Sequence, residues 1–237
     1  MENTDSIKGI IFDYGGTIDS RGMHWSIIIG EGYRHAGLHI DDDAFREAYV
    51  FAERELARTR HILPGHTFLD LMLIKIRIEL QALVSAGVLA EEDVERYIAP
   101  IARYCYDSAR TTIETVRPTL QALAARYPMV LVSNFYGNIN SVLADFKLDT
   151  YFQTVIESAV VGVRKPDPAI FMLGVEALGL PPEQVLVVGD SLKKDILPAR
   201  SIRCHTAWLK GRGWTPEEDS ATDPDIITDL SELKKFL

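Results

Sequence analysis

Two cysteines, Cys105 and Cys204, are all that a chain of 237 residues carries, and they stand far apart. That scarcity gives no sign of a disulfide framework or a zinc site and fits a reducing, cytosolic setting. Apolar runs are short too, and none approaches the roughly 18 residues that a membrane span needs. Basic charge is in deficit: 25 Lys and Arg stand against 34 Asp and Glu, a formal charge of -9. Such a chain is a poor match for nucleic acid or an anionic membrane, which reward a basic face. Small phosphorylated substrates stay open, because a local metal or helix terminus reverses the sign of the potential. The opening MENTDSIKG lacks the basic-then-apolar pattern of a secretory signal. With 47% apolar and 25% charged residues, the composition is that of a globular protein.

What is present is alternation. Apolar runs at 8–12 (KGIIF), 128–133 (PMVLVS), 154–158 (TVIES), 185–189 (VLVVG) and 206–209 (TAWL) read as strands, with a weaker one at 225–228 (DIIT). Helical patterns lie between most of them, the signature of a parallel α/β sheet. PTLQALAARY is expected to start a helix at Pro118, and PDPAIFMLGVEALG runs from Pro168 to a stop at Gly179.

The stretch from about Ser20 to about Arg110, roughly 90 residues, is too long for one crossover and reads as helical. Phe45, Ala48, Tyr49, Ala52 and Leu56 form one apolar stripe behind three acids suited to a helix start. Residues 74–80 (IKIRIEL) alternate like a strand, yet Leu69, Met72, Leu73, Ile76, Leu80 and Leu83 carry a helical stripe through them, and length favours the helix. A further helix over EEDVERYIAPIARYCYDSA is expected to kink at Pro100, and TPEEDSATDPD reads as a solvated loop. The expected organisation is an α/β Rossmann-like core, residues 1–19 and 111–237, with a helical cap at 20–110.

In IIFDYGGTID, Asp13 follows a buried strand and precedes two glycines, which places it at the carboxyl edge of a parallel sheet, where open α/β folds bind ligands. VLVSN ends another strand in Ser133 and Asn134, and VLVVGDSLKKD a third in Asp190, with Asp195 five residues on. Acids converging on one edge call for a cation between them, and magnesium suits hard oxygen ligands.

The ordered set FDYGGT, LVSN, VRKPDP and VGDSLKKD resembles the four motifs of the haloacid dehalogenase superfamily, most of whose members are magnesium-dependent phosphatases. The resemblance spans the core, roughly residues 7–19 and 112–237, and the helical insertion is similar to the first-position cap of that superfamily. It implies Asp13 as a nucleophile forming an aspartyl-phosphate, with Lys165 neutralising nucleophile and phosphate. Ser133 and Asn134 would hold the phosphoryl group, with Thr17 orienting the loop beside it. Magnesium would sit on Asp13, Asp190 and the Gly15 carbonyl, supported by Asp195. The expected substrate is a small phosphorylated metabolite.

One position departs. Two residues past the nucleophile the superfamily phosphatases usually carry a second aspartate as general acid and base, a function worth about 100- to 10,000-fold in rate. Here stands Gly15, which keeps its carbonyl but has no proton to give. Three residues come up as replacements. Asp19 fits a cap hinge or helix start better than a catalytic role, and His24 lies in the first cap segment. Lys75 invites comparison with phosphonate-cleaving relatives, which lack the second aspartate and use a cap lysine as a Schiff base, but a solvated or snorkelling lysine is the expected state. Tyr14 and Trp25 read as core aromatics that could also shape the pocket. Dehalogenation is disfavoured, since the acidic pair of GDSLKKD serves a metal. The remaining alternatives are a phosphonate hydrolase and a phosphate-binding pseudoenzyme.

Overall fold

The computed structural model describes residues 7–237. Six strands form one parallel sheet: β1 (Gly9–Phe12), β2 (Met129–Ser133), β3 (Thr154–Glu157), β4 (Val185–Gly189), β5 (His205–Leu209) and β6 (Ile226–Ile227), in the order β3-β2-β1-β4-β5-β6. Alternation along each strand divides the side chains between two cores. Ile10, Phe12, Met129, Leu131, Leu186 and Val188 face one way, and Ile11, Val130, Val132, Val185 and Val187 the other. Both faces are covered, so the central strands are apolar throughout. The chain leaves β1 toward β2 on one side and later returns to β4 on the other. The crevice between β1 and β4 is therefore the switch point at which such sheets take ligands.

Between β1 and β2 lies the helical insertion: α1 (Trp25–His35), α2 (Asp42–Arg58), α3 (Phe68–Ser85) and α4 (Val94–Ala124). Residues 74–80 are indeed helical, held within α3 by a capping box between Thr67 and Asp70. The buried face of α3 is rotated from the expected stripe, for it includes Lys75 and Glu79 while Leu69 and Leu73 are only half-buried.

α4 corrects another expectation. Pro118 does not begin a helix; it and Pro100 both lie inside one helix that runs unbroken past residues 110–111. An internal proline costs about 3 kcal/mol. The buried stripe of Ile98, Ile101, Cys105, Ile113, Val116 and Leu120 outweighs it, since each large apolar side chain contributes about 1.5–3 kcal/mol on burial.

The rest of the chain supplies α5 (Ile139–Asp145), α6 (Ser158–Val161), α7 (Ala169–Leu178), α8 (Leu197–Ser201) and α9 (Pro216–Ser220). α7 starts after Pro168 and stops at left-handed Gly179, as its punctuation implies. The stretch read as a solvated loop is more structured: it contains α9, and Arg200 holds Asp223 and Asp225 at 2.6 and 2.8 Å. Among the described residues no helix is long and apolar enough to cross a membrane.

Candidate active site

The candidate site is assembled by the ladder itself. The Asp13 N–H donates to the Val188 carbonyl at 2.9 Å, which carries the β1–β4 pairing one residue past the strand and sets Asp13 beside Asp190. Gly16 then lets the chain turn away. Its φ is +93°, and a Cβ there would stand 2.3 Å from Asp190 Oδ2, so the position needs glycine for both backbone and space. Thr17 Oγ1 lies 3.4 Å from both Asp13 Oδ2 and Asp190 Oδ1 and bridges the two acids.

Lys165 arrives from the loop before α7. Its backbone is clamped by the Asn134 carboxamide, which accepts from the Lys165 N–H at 2.9 Å and donates to its carbonyl at 3.0 Å. The ammonium Nζ rests 2.6 Å from Asp13 Oδ1 and 2.6 Å from Asp195 Oδ1. Asp195 is held in turn by the Ser191 N–H at 3.0 Å, within a π-helical turn spanning Leu192–Ile196. Trp208 of β5 donates to the Asp190 carbonyl at 2.7 Å.

The electrostatics favour a cation. Asp13, Asp190 and Asp195 each offer an oxygen within 4.8 Å of the others, and one ammonium leaves two of the three charges uncompensated. Burial, then the charges of Asp195 and Asp13, pushes Asp190 well above the usual carboxylate range. Burial also raises Asp195 against the pull of Lys165. For Lys165 burial works downward, and Asp13 and Asp195 outweigh it, so the ammonium holds its proton more firmly than an ordinary lysine. A hard divalent ion fits this set of oxygens.

On the other side of β1, Ser133 ends β2 in a buried position. Asn134 follows it with its side chain engaged by the Lys165 backbone rather than free to hold an anion. The loop beyond is pinned by Glu157, a residue that motif reading passed over: its Oε1 accepts from the Gly137 N–H at 2.5 Å and the Ile139 N–H at 3.4 Å. An acid closing the apolar strand TVIE was the only sign of it in the sequence.

A family profile for haloacid dehalogenase-like hydrolases matches residues 7–203. The chain belongs to this family. It is 32% identical over 205 residues to a phosphoserine phosphatase of Thermus thermophilus, covering 80% of this chain and 79% of that one. It is 27% identical over 231 residues to a glyceraldehyde 3-phosphate phosphatase of Methanocaldococcus jannaschii, 96% and 95% of the two chains. Among solved structures, YfnB, a magnesium-bound protein of the haloacid dehalogenase type from Bacillus subtilis, superposes with a TM-score of 0.59 over 98% of each chain at 18% identity.

The edge has open space at residue 15. A Cβ built on Gly15 meets nothing within 4 Å, and its backbone lies outside the left-handed region. Of the paired glycines, Gly16 is dictated by geometry and Gly15 is not.

None of the three replacement candidates points a free acid at the gap. Asp19 is buried with both oxygens engaged, Oδ1 by the Gly16 N–H at 2.8 Å and Oδ2 by Trp25 Nε1 at 3.1 Å, so it clamps the turn to α1. Burial raises its carboxyl to about 7 even so. His24 caps α1, its Nδ1 accepting from the Ser26 N–H at 3.3 Å, and burial together with Lys194 lowers it to about 4. Lys75 is neither solvated nor snorkelling: it is buried, ion-paired with Glu53 and set 4.5 Å over the Tyr49 ring. Burial opposes its charge, but Glu53 together with Tyr49, Tyr136 and Glu79 outweighs it, so Lys75 holds its proton firmly and does not present the free amine a Schiff base requires. Tyr14 is wholly buried core, edge-on to Phe135.

Proposed function

We propose that this phosphatase-like hydrolase cleaves a small phosphorylated metabolite with magnesium through an aspartyl-phosphate on Asp13. The observation that carries the reading is the Asp13–Lys165–Asp195 chain at 2.6 Å per link beside Asp190, seated at the switch point between β1 and β4. Asp13, Asp190 and the Gly15 carbonyl would hold magnesium, which when bound offsets the repulsion between an anionic nucleophile and an anionic phosphoryl group. Residues 20–110 act as the cap over this edge, with α4 shared between cap and core.

An Asp13 carboxylate oxygen attacks phosphorus, and the bond from phosphorus to the leaving oxygen breaks. Lys165 keeps its proton and stabilises the charge on Asp13 and the phosphoryl oxygens. Ser133 and the Asn134 backbone orient the phosphoryl group, and Thr17 keeps Asp13 and Asp190 in register. The leaving oxygen takes its proton from water, since position 15 has none to give. Water then attacks phosphorus, releasing inorganic phosphate and restoring Asp13. This step too proceeds without a carboxylate base at 15. Substrates whose leaving groups need little protonation, such as acyl and aryl phosphates, are therefore favoured over alkyl phosphates.

The test is a panel of acyl, aryl and alkyl phosphates with and without magnesium, run beside Asp13→Asn. Magnesium-dependent turnover that vanishes in the variant is expected. A wild type silent on the whole panel would favour a phosphate-binding pseudoenzyme.

A further inference from the structure

Away from the catalytic edge, a cavity of about 490 Å³ opens between the cap and the core. Its cap wall is made by α1 and α2 and the turn between them, and its core wall by the loop from Arg212 into α9. Neither the acids of the catalytic edge nor Lys165 line it.

Its charge runs against that of the molecule. In a chain of formal charge -9, three exposed arginines, Arg34, Arg46 and Arg212, converge on this one space, and none forms an ion pair among the described residues. Arg46 lies 4.0 Å over the Trp214 ring, whose other neighbours are His24 at 4.8 Å and Tyr49 at 5.3 Å, so an aromatic base orients that guanidinium. Arg34 folds back toward Gly30 and Phe45 on the same wall. Two acids also face the cavity. Asp219 has one oxygen occupied by the Gly213 N–H at 2.6 Å, and Asp42 stands in the first turn of α2, whose dipole favours it there. Guanidinium groups left unpaired beside an open cavity are geared to bind carboxylate or phosphate oxygens.

We propose that this cavity is a second ligand site, separate from the phosphatase centre, that takes a small metabolite carrying two or more carboxylate or phosphate charges between Arg34, Arg46 and Arg212. Arg34 and Arg46 belong to the cap and Arg212 to the core, so an occupant joins the two. The join lies beside the hinge, where the His24 N–H donates to the Arg212 carbonyl at 2.9 Å. Occupancy therefore biases the cap's position without touching the reacting atoms.

The experiment titrates succinate and, separately, inorganic pyrophosphate into the full chain in metal-free buffer, read by calorimetry and by fluorescence of Trp214. Without metal the acids of the catalytic edge repel anions, so binding reports the cavity. Saturable binding of either anion is expected, retained in Asp13→Asn and weakened about tenfold or more in Arg46→Gln/Arg212→Gln. Succinate alone binding marks a carboxylate ligand, pyrophosphate alone a phosphate ligand, and both the shared chemistry. All three substituted side chains leave the apolar core untouched, and circular dichroism verifies the fold. The proposal is overturned if neither anion saturates, if the double variant binds as the wild type does, or if Asp13→Asn abolishes binding.

Discussion

Two buried lysines divide this molecule into two kinds of polar interior. Lys165, in the core, touches Asp13 and Asp195 with Asp190 close by, so negative charge is left over. Lys75, in the cap, is matched one to one by Glu53, which also accepts from Tyr136 Oη at 3.1 Å on the loop after β2. Glu79, one turn along α3, accepts from Tyr33 Oη at 3.1 Å, and burial raises it to about 7. Buried charge by itself therefore does not mark a catalytic centre. The core cluster is unbalanced and its oxygens suit a cation, whereas the cap cluster is close to balanced and joins helices to one another and to the loop near Ser133.

The sharpest way to test whether the core cluster is incomplete is to place a carboxylate at residue 15. Gly15→Asp enters open space on an ordinary backbone, so it is expected to raise alkyl-phosphate turnover relative to p-nitrophenyl phosphate by up to about 100- to 10,000-fold, or about 3 to 5 kcal/mol. The ratio of the two turnovers in wild type and variant is the measurement. An unchanged ratio in a folded variant, with fast alkyl cleavage by the wild type, would mean that another group already delivers the proton.

Next comes a direct contrast between the lysines. Lys165→Met is expected to lower kcat by about 100- to 1,000-fold, the range for losing one preorganised electrostatic contact. Lys75→Met should leave kcat within a few-fold and instead lower the melting temperature. Its stability loss should stay below about 3 kcal/mol, because Glu53 reaches solvent and can rehydrate. Equal losses of kcat in two folded variants would erase the distinction drawn between the clusters.

The smallest effect concerns pH. Glu79 has a native pKa of about 7 against 4.5 in the unfolded chain, so between those values the native state binds more protons. Stability from this group is present below about pH 4.5 and is lost as pH rises through about 7, by at most about 3 kcal/mol. Glu79→Gln should flatten that decline in urea unfolding measured from pH 5 to 8. Parallel curves for wild type and variant would show that the Glu79 pKa is the same in the folded and the unfolded chain.

Much of the core was legible because its signals are local. A strand buried on both faces reads as an unbroken apolar run, and a parallel sheet places each strand's final polar residue on one edge. Asp13, Ser133 and Asp190 could therefore be picked out and assigned to one region, whereas Lys165, on a loop, followed only from the resemblance of VRKPDP to a family motif. The cap was legible as helical, yet its inward faces were not. Lys75 and Glu79 on α3 break the apolar stripe, and burying them depends on Glu53 and Tyr33, which lie on other helices. Pro118 misled for a related reason: its local preference for a helix start is outweighed by the long buried face of α4.

Composition and pattern by themselves thus determined the class of fold, the helical insertion and the residue types at the strand ends, since these follow from periodicities of two and 3.6 residues within short windows. Tertiary structure decided which charges balance. It turned the Asn134 side chain toward the Lys165 backbone, placed Asp19 under Trp25, left Gly15 facing open space while closing Gly16 against Asp190, and gathered three arginines from cap and core around one cavity. Apart from the short-range Asp19–Trp25 contact, these outcomes join residues far apart in the chain or set the space around one, and the pairwise energy that fixes them exists only once the packed helices and sheet bring the partners within a few ångströms.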